Sequence, residues 1–340
     1  MEENKNNLHC FDDNQVGFDY LKIVLSWIIL LRHVGQIIYQ QDTIFYSVWT
    51  RWLSPVGVPC FFIISSFLFY RKEVTQRNLM KRICRILKLY IVWTLVYLPY
   101  HVLMILNGDE NLIRYMQSIF FEGSNFHLWY LPALIVGFLI VDVLIRFLGK
   151  GKTLIFSIIL YIVGYLIENF NFIFNNTTGV KIIVEWYLKL FCTTRNGIFF
   201  APIYIMVGYF VANSSLQLNK KLRIQCFVIV ILGLILQYFE SKIAGINMLL
   251  SCVITGSALV VISLNIVGRK GKVQNIIRYM SELIYFIHPW IIFIVSFLSR
   301  RIDILSLNWI SCIVIVLVTC LVAYVGAKLK ERKKWIGYFV

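Results

Sequence analysis

Three basic residues sit inside one apolar stretch, "DYLKIVLSWIILLRHVGQ": Lys22, Arg32 and His33. Lys22 and His33 are eleven residues apart. At ~100° and ~1.5 Å per residue they return to nearly the same helix face, about 16 Å apart along the axis. Arg32, next to His33, points elsewhere. The stripe therefore carries a cation at one end and a titratable imidazole further along. Ionisable groups at membrane depth are costly and usually face a bundle interior or a watery cavity, and an imidazole there can act as a general base toward a hydroxyl. Each residue also has a plainer use. Lys22 can snorkel to the headgroups, Arg32 can meet a lipid phosphate or an acidic loop, and a single membrane histidine can be a hydrogen-bonded packing residue. Of the five histidines, His33, His101 and His127 are expected toward one side of the membrane, and His288 in "IYFIHPW" nearer the other. Metal ligation by the first three is conceivable, but no two histidines stand at i, i+4 and no carboxylate set lies nearby, so no metal is expected.

The elements that must position these groups are membrane helices. Of 340 residues, 59% are hydrophobic and only 15% charged, with mean hydropathy +0.75, too little polar surface for a soluble domain. The expectation is an all-α, polytopic membrane protein of about ten transmembrane helices, near 18–39, 52–70, 86–106, 127–146, 153–170, 197–212, 222–239, 246–267, 283–299 and 307–327. The net charge of +16 raises the question of nucleic acid, but its distribution answers otherwise. The basic loops, "RKEVTQRNLMKRICRILK", "RFLGKGK", "NKKLR" and "GRKGKVQNIIR", alternate with poorer ones, so that about 23 of the 33 Lys and Arg fall on one side and about 8 on the other. The positive-inside rule then places both termini in the cytoplasm. Three segments follow: a cytoplasmic tail 1–16, a membrane domain 17–327 and a basic cytoplasmic tail 328–340. The N-terminal tail lacks a basic n-region and a cleavage site, so the first span is expected to stay in the mature chain. Eight cysteines without a C-x-x-C pair form neither a disulfide framework nor a zinc site.

The cluster after the second span has internal order. Lys81 and Arg85 share a helix face, with Arg82 beside them. Such a cluster can hold a phosphorylated cofactor or anionic lipid heads, or simply record topology.

Six stretches carry a family resemblance: "KIVLSWIILLRH", "VGVPCFFIISSFLFYRK", "KRICRILKLYIVW", "HLWYLPALIVG", "RNGIFFAPIYIMVGY" and "MSELIYFIHPWII". In that order, over about 17–327, the chain resembles the acyltransferase 3 family of bacterial membrane proteins. It departs from the family pattern in Lys22, where Arg is usual, and in Ser66, where Gly is usual. "HLWYLPAL" is also similar to the membrane domain of VanT-type serine racemases. The resemblance implies a multi-pass protein of the bacterial cytoplasmic membrane. It implies transfer of an acyl group, acetyl above all, from acyl-CoA to a hydroxyl of a cell-envelope or exported glycan, or of a lipid-linked sugar. In that reading His33 is the general base and Lys22 its companion on the donor track. Arg82 and Arg85 hold the CoA phosphates, with His288 orienting the CoA end. His127 and Arg195 lie on the acceptor side, whereas Trp129 and Tyr130 are expected as interfacial anchors. The partners are acyl-CoA, the glycan and the lipid bilayer, with no nucleic acid. The alternative of another class is a transporter for serine or a lipid-linked glycan, without acyl chemistry.

Overall fold

The computed structural model describes residues 16–38, 43–72, 74–176, 178–214, 219–264, 266, 268, 271–302, 304 and 308–332. Nearly all of tail 1–16, and residues 333–340 of the C-terminal tail, lie outside the described residues. Eleven α-helices occur among the described residues: α1 (Gly17–Ile37), α2 (Gly57–Tyr70), α3 (Gln76–Leu106), α4 (Leu112–Phe121), α5 (Tyr130–Phe170), α6 (Thr178–Phe191), α7 (Ala201–Ala212), α8 (Lys220–Ile243), α9 (Ser251–Ser263), α10 (Lys272–Leu298) and α11 (Asn308–Arg332). A wide helical stretch, Tyr46–Leu53, precedes α2, and a tight one, Asn171–Asn176, follows α5.

Among the described residues six stretches are long and apolar enough to cross a bilayer: Tyr46–Tyr70, Gln76–Leu106, Tyr130–Phe174, Lys220–Ile243, Lys272–Leu298 and Asn308–Glu331. The chain is a multi-pass membrane protein. Each expected span falls on a helix, but the boundaries differ in an instructive way. α3 starts ten residues before the expected 86, and α10 eleven before the expected 283. On α3 the early residues are polar, and Lys, Arg and Gln, good helix formers, continue the helix beyond the apolar stretch. The expected fourth and fifth spans form one element, α5, broken at Gly149, whose φ of 77° and ψ of 163° favour glycine. α7 and α9 are only 12 and 13 residues long, below the ~20 needed to span. The loops 107–126 and 171–196 contain α4 and α6, which the hydropathy pattern does not separate from loop.

The chain divides into two compact units. The first comprises Met1–Phe61, Ser215–Ser241 and Ile254–Val340. Its centre is the packing of α10 against α1 and α11, through Leu30 and Val34 of α1, Ile284 and Ile292 of α10, and Ile315 and Ala323 of α11. The wide stretch before α2 breaks regular pairing, and side chains make up the difference. Gln237 Nε2 donates to the Trp52 carbonyl, while Trp52 Nε1 donates to the Leu234 carbonyl at 2.8 Å. Irregular backbone survives in a membrane protein only when its polar groups are met from within.

The second unit comprises Phe62–Ser214 and Lys242–Val253. The same rule governs its irregular stretch 192–200 before α7. The Glu168 carboxylate accepts from Thr193 Oγ1 at 2.8 Å, Thr194 N at 2.9 Å and Asn247 Nδ2 at 2.7 Å. Asn196 Oδ1 accepts from Ile198 N at 2.9 Å. α5 packs on α7 where glycine permits it, since a Cβ on Gly137 would lie 2.6 Å from that of Ala201.

Ser66, the second departure from the family pattern, is fully buried, and its Oγ donates to the Ile205 carbonyl at 2.6 Å. The side chain fits because the opposite position is Gly208, where an added Cβ would lie 2.5 Å from the Ser66 Cβ. Gly208→Val is therefore expected to destabilise the protein by about 1–3 kcal/mol through overpacking. Ser66→Gly in the same chain should recover part of the loss, read as the thermal unfolding midpoint in detergent.

Candidate active site

In the first unit, α1 and α10 run parallel and are joined by three successive pairs. Arg278 Nε and Nη2 donate to Asp19 Oδ1 and Oδ2 at 3.0 and 2.9 Å, a bidentate ion pair with Asp19 buried. Ser26 Oγ lies 2.9 Å from the Ser281 carbonyl and shares its proton with the Lys22 carbonyl at 2.9 Å. Two helical turns further along both helices, the His33 and His288 rings stack, with centroids 5.1 Å apart and planes 18° apart.

Backbone geometry assigns the ring proton of His288. His288 Nδ1 lies 2.9 Å from the Ile284 carbonyl, which can only accept, so Nδ1 carries the hydrogen and the neutral ring keeps its lone pair on Nε2. His33 Nδ1 faces Gln36 Oε1 at 3.2 Å, which orients that ring in the same sense. His288 is fully buried and His33 partly exposed. The expected placement of the two histidines toward opposite sides of the membrane is corrected: they lie at one level. The reason is the early start of α10 at Lys272, which puts His288 as deep along its helix as His33 is along α1. Lys22 shares the His33 face of α1, one turn before Ser26, and is partly buried. Arg32 is buried rather than spread toward lipid, and its carbonyl accepts from Thr50 Oγ1 at 3.3 Å.

The other expected residues belong to the second unit. Arg82 is half-buried and Arg85 exposed near the start of α3, three residues apart and so on neighbouring faces. His127 is buried against Tyr97, ring to ring at 5.2 Å and edge-on. The Arg195 guanidinium carbon sits 4.4 Å from the centre of the Trp129 ring. Trp129, expected as an interfacial anchor, is instead buried among Phe62 and Phe200, and Tyr130 Oη pairs with Ser65 Oγ at 2.9 Å. The turn that delivers His127 and Trp129 depends on Gly123, whose φ is 95° and where a Cβ would lie 2.5 Å from the Trp129 amide nitrogen. Arg195→Ala is expected to cost about 1 kcal/mol of stability, and Arg195→Lys less, because the stacked planar cation is lost in one case and only reshaped in the other. Thermal unfolding of both variants checks this.

Sequence reasoning missed Asp19, Arg278, Ser26 and Ser281. The signal available was spacing: Asp19, Ser26 and His33 recur every seven residues on α1, which is a single helix stripe. Among the described residues no group of three or more His, Cys, Asp or Glu side chains could hold a metal ion.

A family model described as an acyltransferase domain, that of acyltransferase 3, matches residues 15–328. The chain belongs to the acyltransferase 3 family. This acyltransferase 3 protein is also similar to an amino-acid racemase of Enterococcus faecalis, 31% identical over 67% of the chain and 33% of the racemase. A second amino-acid racemase of that organism is 26% identical over 93% of the chain and 46% of the racemase. A serine/alanine racemase of Enterococcus gallinarum is 24% identical over 95% of the chain and 47% of the racemase. The chain thus spans a third to about half the length of these curated relatives. No solved structure matches it.

Proposed function

We propose that this acyltransferase 3 protein moves an acyl group, acetyl above all, from acyl-CoA to a hydroxyl of a cell-envelope or exported glycan, with His33 as general base. The observation that carries the reading is the stacked His33–His288 pair, each imidazole oriented through Nδ1 so that Nε2 is the basic atom. His33, the less buried of the two, takes the hydroxyl proton on Nε2 as the oxygen attacks the thioester carbonyl. The C–S bond breaks, and the imidazolium returns its proton to the departing CoA thiolate. Lys22, on the same face of α1, supplies a positive charge for the anionic donor. His288 holds the orientation of the His33 ring by stacking. In the second unit Arg82 and Arg85 are assigned to the CoA phosphates, and His127 and Arg195 to the acceptor. The protein is placed in the bacterial cytoplasmic membrane with about ten spans and both termini inside, which a reporter fused after Val340 tests by its location.

A second reading has its own support. The serine/alanine racemase similarity extends over 95% of the chain, so membrane transport of serine, or of a lipid-linked glycan, is the alternative. The deciding experiment supplies the reconstituted protein with acetyl-CoA labelled on its acetyl group and follows release or transfer of label. Label transfer establishes the enzyme. Failure to bind CoA, together with serine uptake into the same vesicles, establishes the carrier.

A further inference from the structure

Two helices outside the six long apolar stretches share one pattern. α4 carries Leu112, Ile113, Met116 and Phe120, and α6 carries Ile182, Ile183, Trp186 and Leu190, both sets at i, i+1, i+4 and i+8. That spacing makes one apolar stripe on each helix. The stripes are turned outward: Ile113 is 78% exposed, Phe120 71%, Ile183 70% and Trp186 67%.

The opposite faces are docked, so the exposure is not that of a loose loop. On α4, Tyr115 is buried and stacks on His101 with ring centroids 4.4 Å apart, while His101 Nδ1 meets Glu110 Oε2 at 2.8 Å. Tyr90 Oη donates to the Ile119 carbonyl. On α6, Val184 is buried and Tyr187 packs edge-on against Phe199 at 5.4 Å. Outside the spanning stretches, burial first of all pushes the Tyr187 hydroxyl up to about 12, even though Asn196 Nδ2 donates to it. The two helices also hold each other. Gln117 Nε2 donates to the carbonyls of Lys189 and Leu190 at 2.9 and 2.7 Å, and the Phe121 and Phe191 rings meet at 5.0 Å.

We propose that α4 and α6 form a rigid interfacial platform, their paired apolar stripes seated in the lipid leaflet where α3 and α5 end. Helices of 10 and 14 residues extend only about 15 and 21 Å and cannot cross the hydrocarbon. Their apolar faces continue the surface of the spanning elements beside them. Leu103 and Leu106 are exposed at the end of α3 just before α4, and Phe172 and Ile173 in the tight stretch between α5 and α6. Lys189 Nζ lies 5.3 Å over the Trp186 ring, the pairing of aromatic body and cationic tip that suits the headgroup level. A stripe this apolar is unfavourable in water, and lipid is the occupant continuous with it. The proposal rests on the multi-pass architecture and does not depend on acyl transfer.

Trp186 is its own probe among nine tryptophans, isolated as the difference between the wild-type chain and Trp186→Phe. The full chain in nanodiscs would contain lipid brominated either near the glycerol backbone or near the chain terminus, with iodide as the aqueous quencher. The Trp186 signal is expected to fall about twofold with the shallow bromolipid, less with the deep one, and little with iodide. Strong iodide quenching without bromolipid quenching overturns the proposal in favour of a solvated face. Protection from both overturns it in favour of a second copy or another protein covering the stripe. Ile183→Trp in the Trp186→Phe background must restore the shallow-lipid quenching, and a water-exposed signal there also overturns the proposal. Loss of acetyl-CoA turnover in the functional assay leaves every one of these readouts unaffected, so the two failures are distinguishable.

Discussion

His33→Ala is expected to lower acetyl-CoA turnover by about 10²–10⁴-fold, the range supplied by a positioned general base. The fold should survive, because the α1–α10 interface keeps Asp19–Arg278 and Ser26–Ser281. The loss should appear in kcat and kcat/KM together, since proton transfer belongs to the transition state. His288→Gln should lower kcat less, by roughly tenfold, because it disturbs the orientation of the base and leaves the base in place. Label release from acetyl-CoA by the reconstituted variants, with size-exclusion profiles matching the wild type, measures both. Undiminished turnover in His33→Ala would remove His33 from the mechanism.

Asp19→Ala carries the largest expected effect on stability. Its carboxylate is buried and holds Arg278 by two hydrogen bonds. Removing it strands a guanidinium in the interior, which costs about 3–5 kcal/mol for a fully buried pair. A third of the Arg278 side chain is exposed, so about 2–3 kcal/mol is the expectation here. Replacing both partners, Asp19→Ala with Arg278→Leu, should recover most of the loss, because no charge is then left uncompensated. Thermal unfolding of the two variants in the same detergent decides it, and equal destabilisation of the single and double variants would contradict the argument.

The helical periodicity of α1 is legible in the residues alone. Lys22 and His33 do share a face, and the same periodicity extends to Asp19 and Ser26, whose partners lie on α10. The depth of His288 is not legible in that way. Hydropathy sees where apolar residues begin, at about 283, whereas the helix begins at Lys272, and that offset displaces every depth assignment on α10. The loops hide α4 and α6 for a related reason. A window of ~20 residues averages a 10-residue amphipathic helix with its polar flanks. Ser66 shows a third limit, since a departure from the family pattern looks costly until Gly208 is found opposite.

By itself the sequence determined the all-α, multi-pass class, the family, and the helix faces, because these follow from composition, ordered motifs and local periodicity along one chain. The tertiary structure alone decided that His33 meets His288, that Asp19 is neutralised by Arg278, that Arg32 is buried, and that two loop helices turn their apolar stripes outward. Those facts depend on which helix packs beside which and at what register, and residues such as Asp19 and Arg278, 259 positions apart, become neighbours only through that packing.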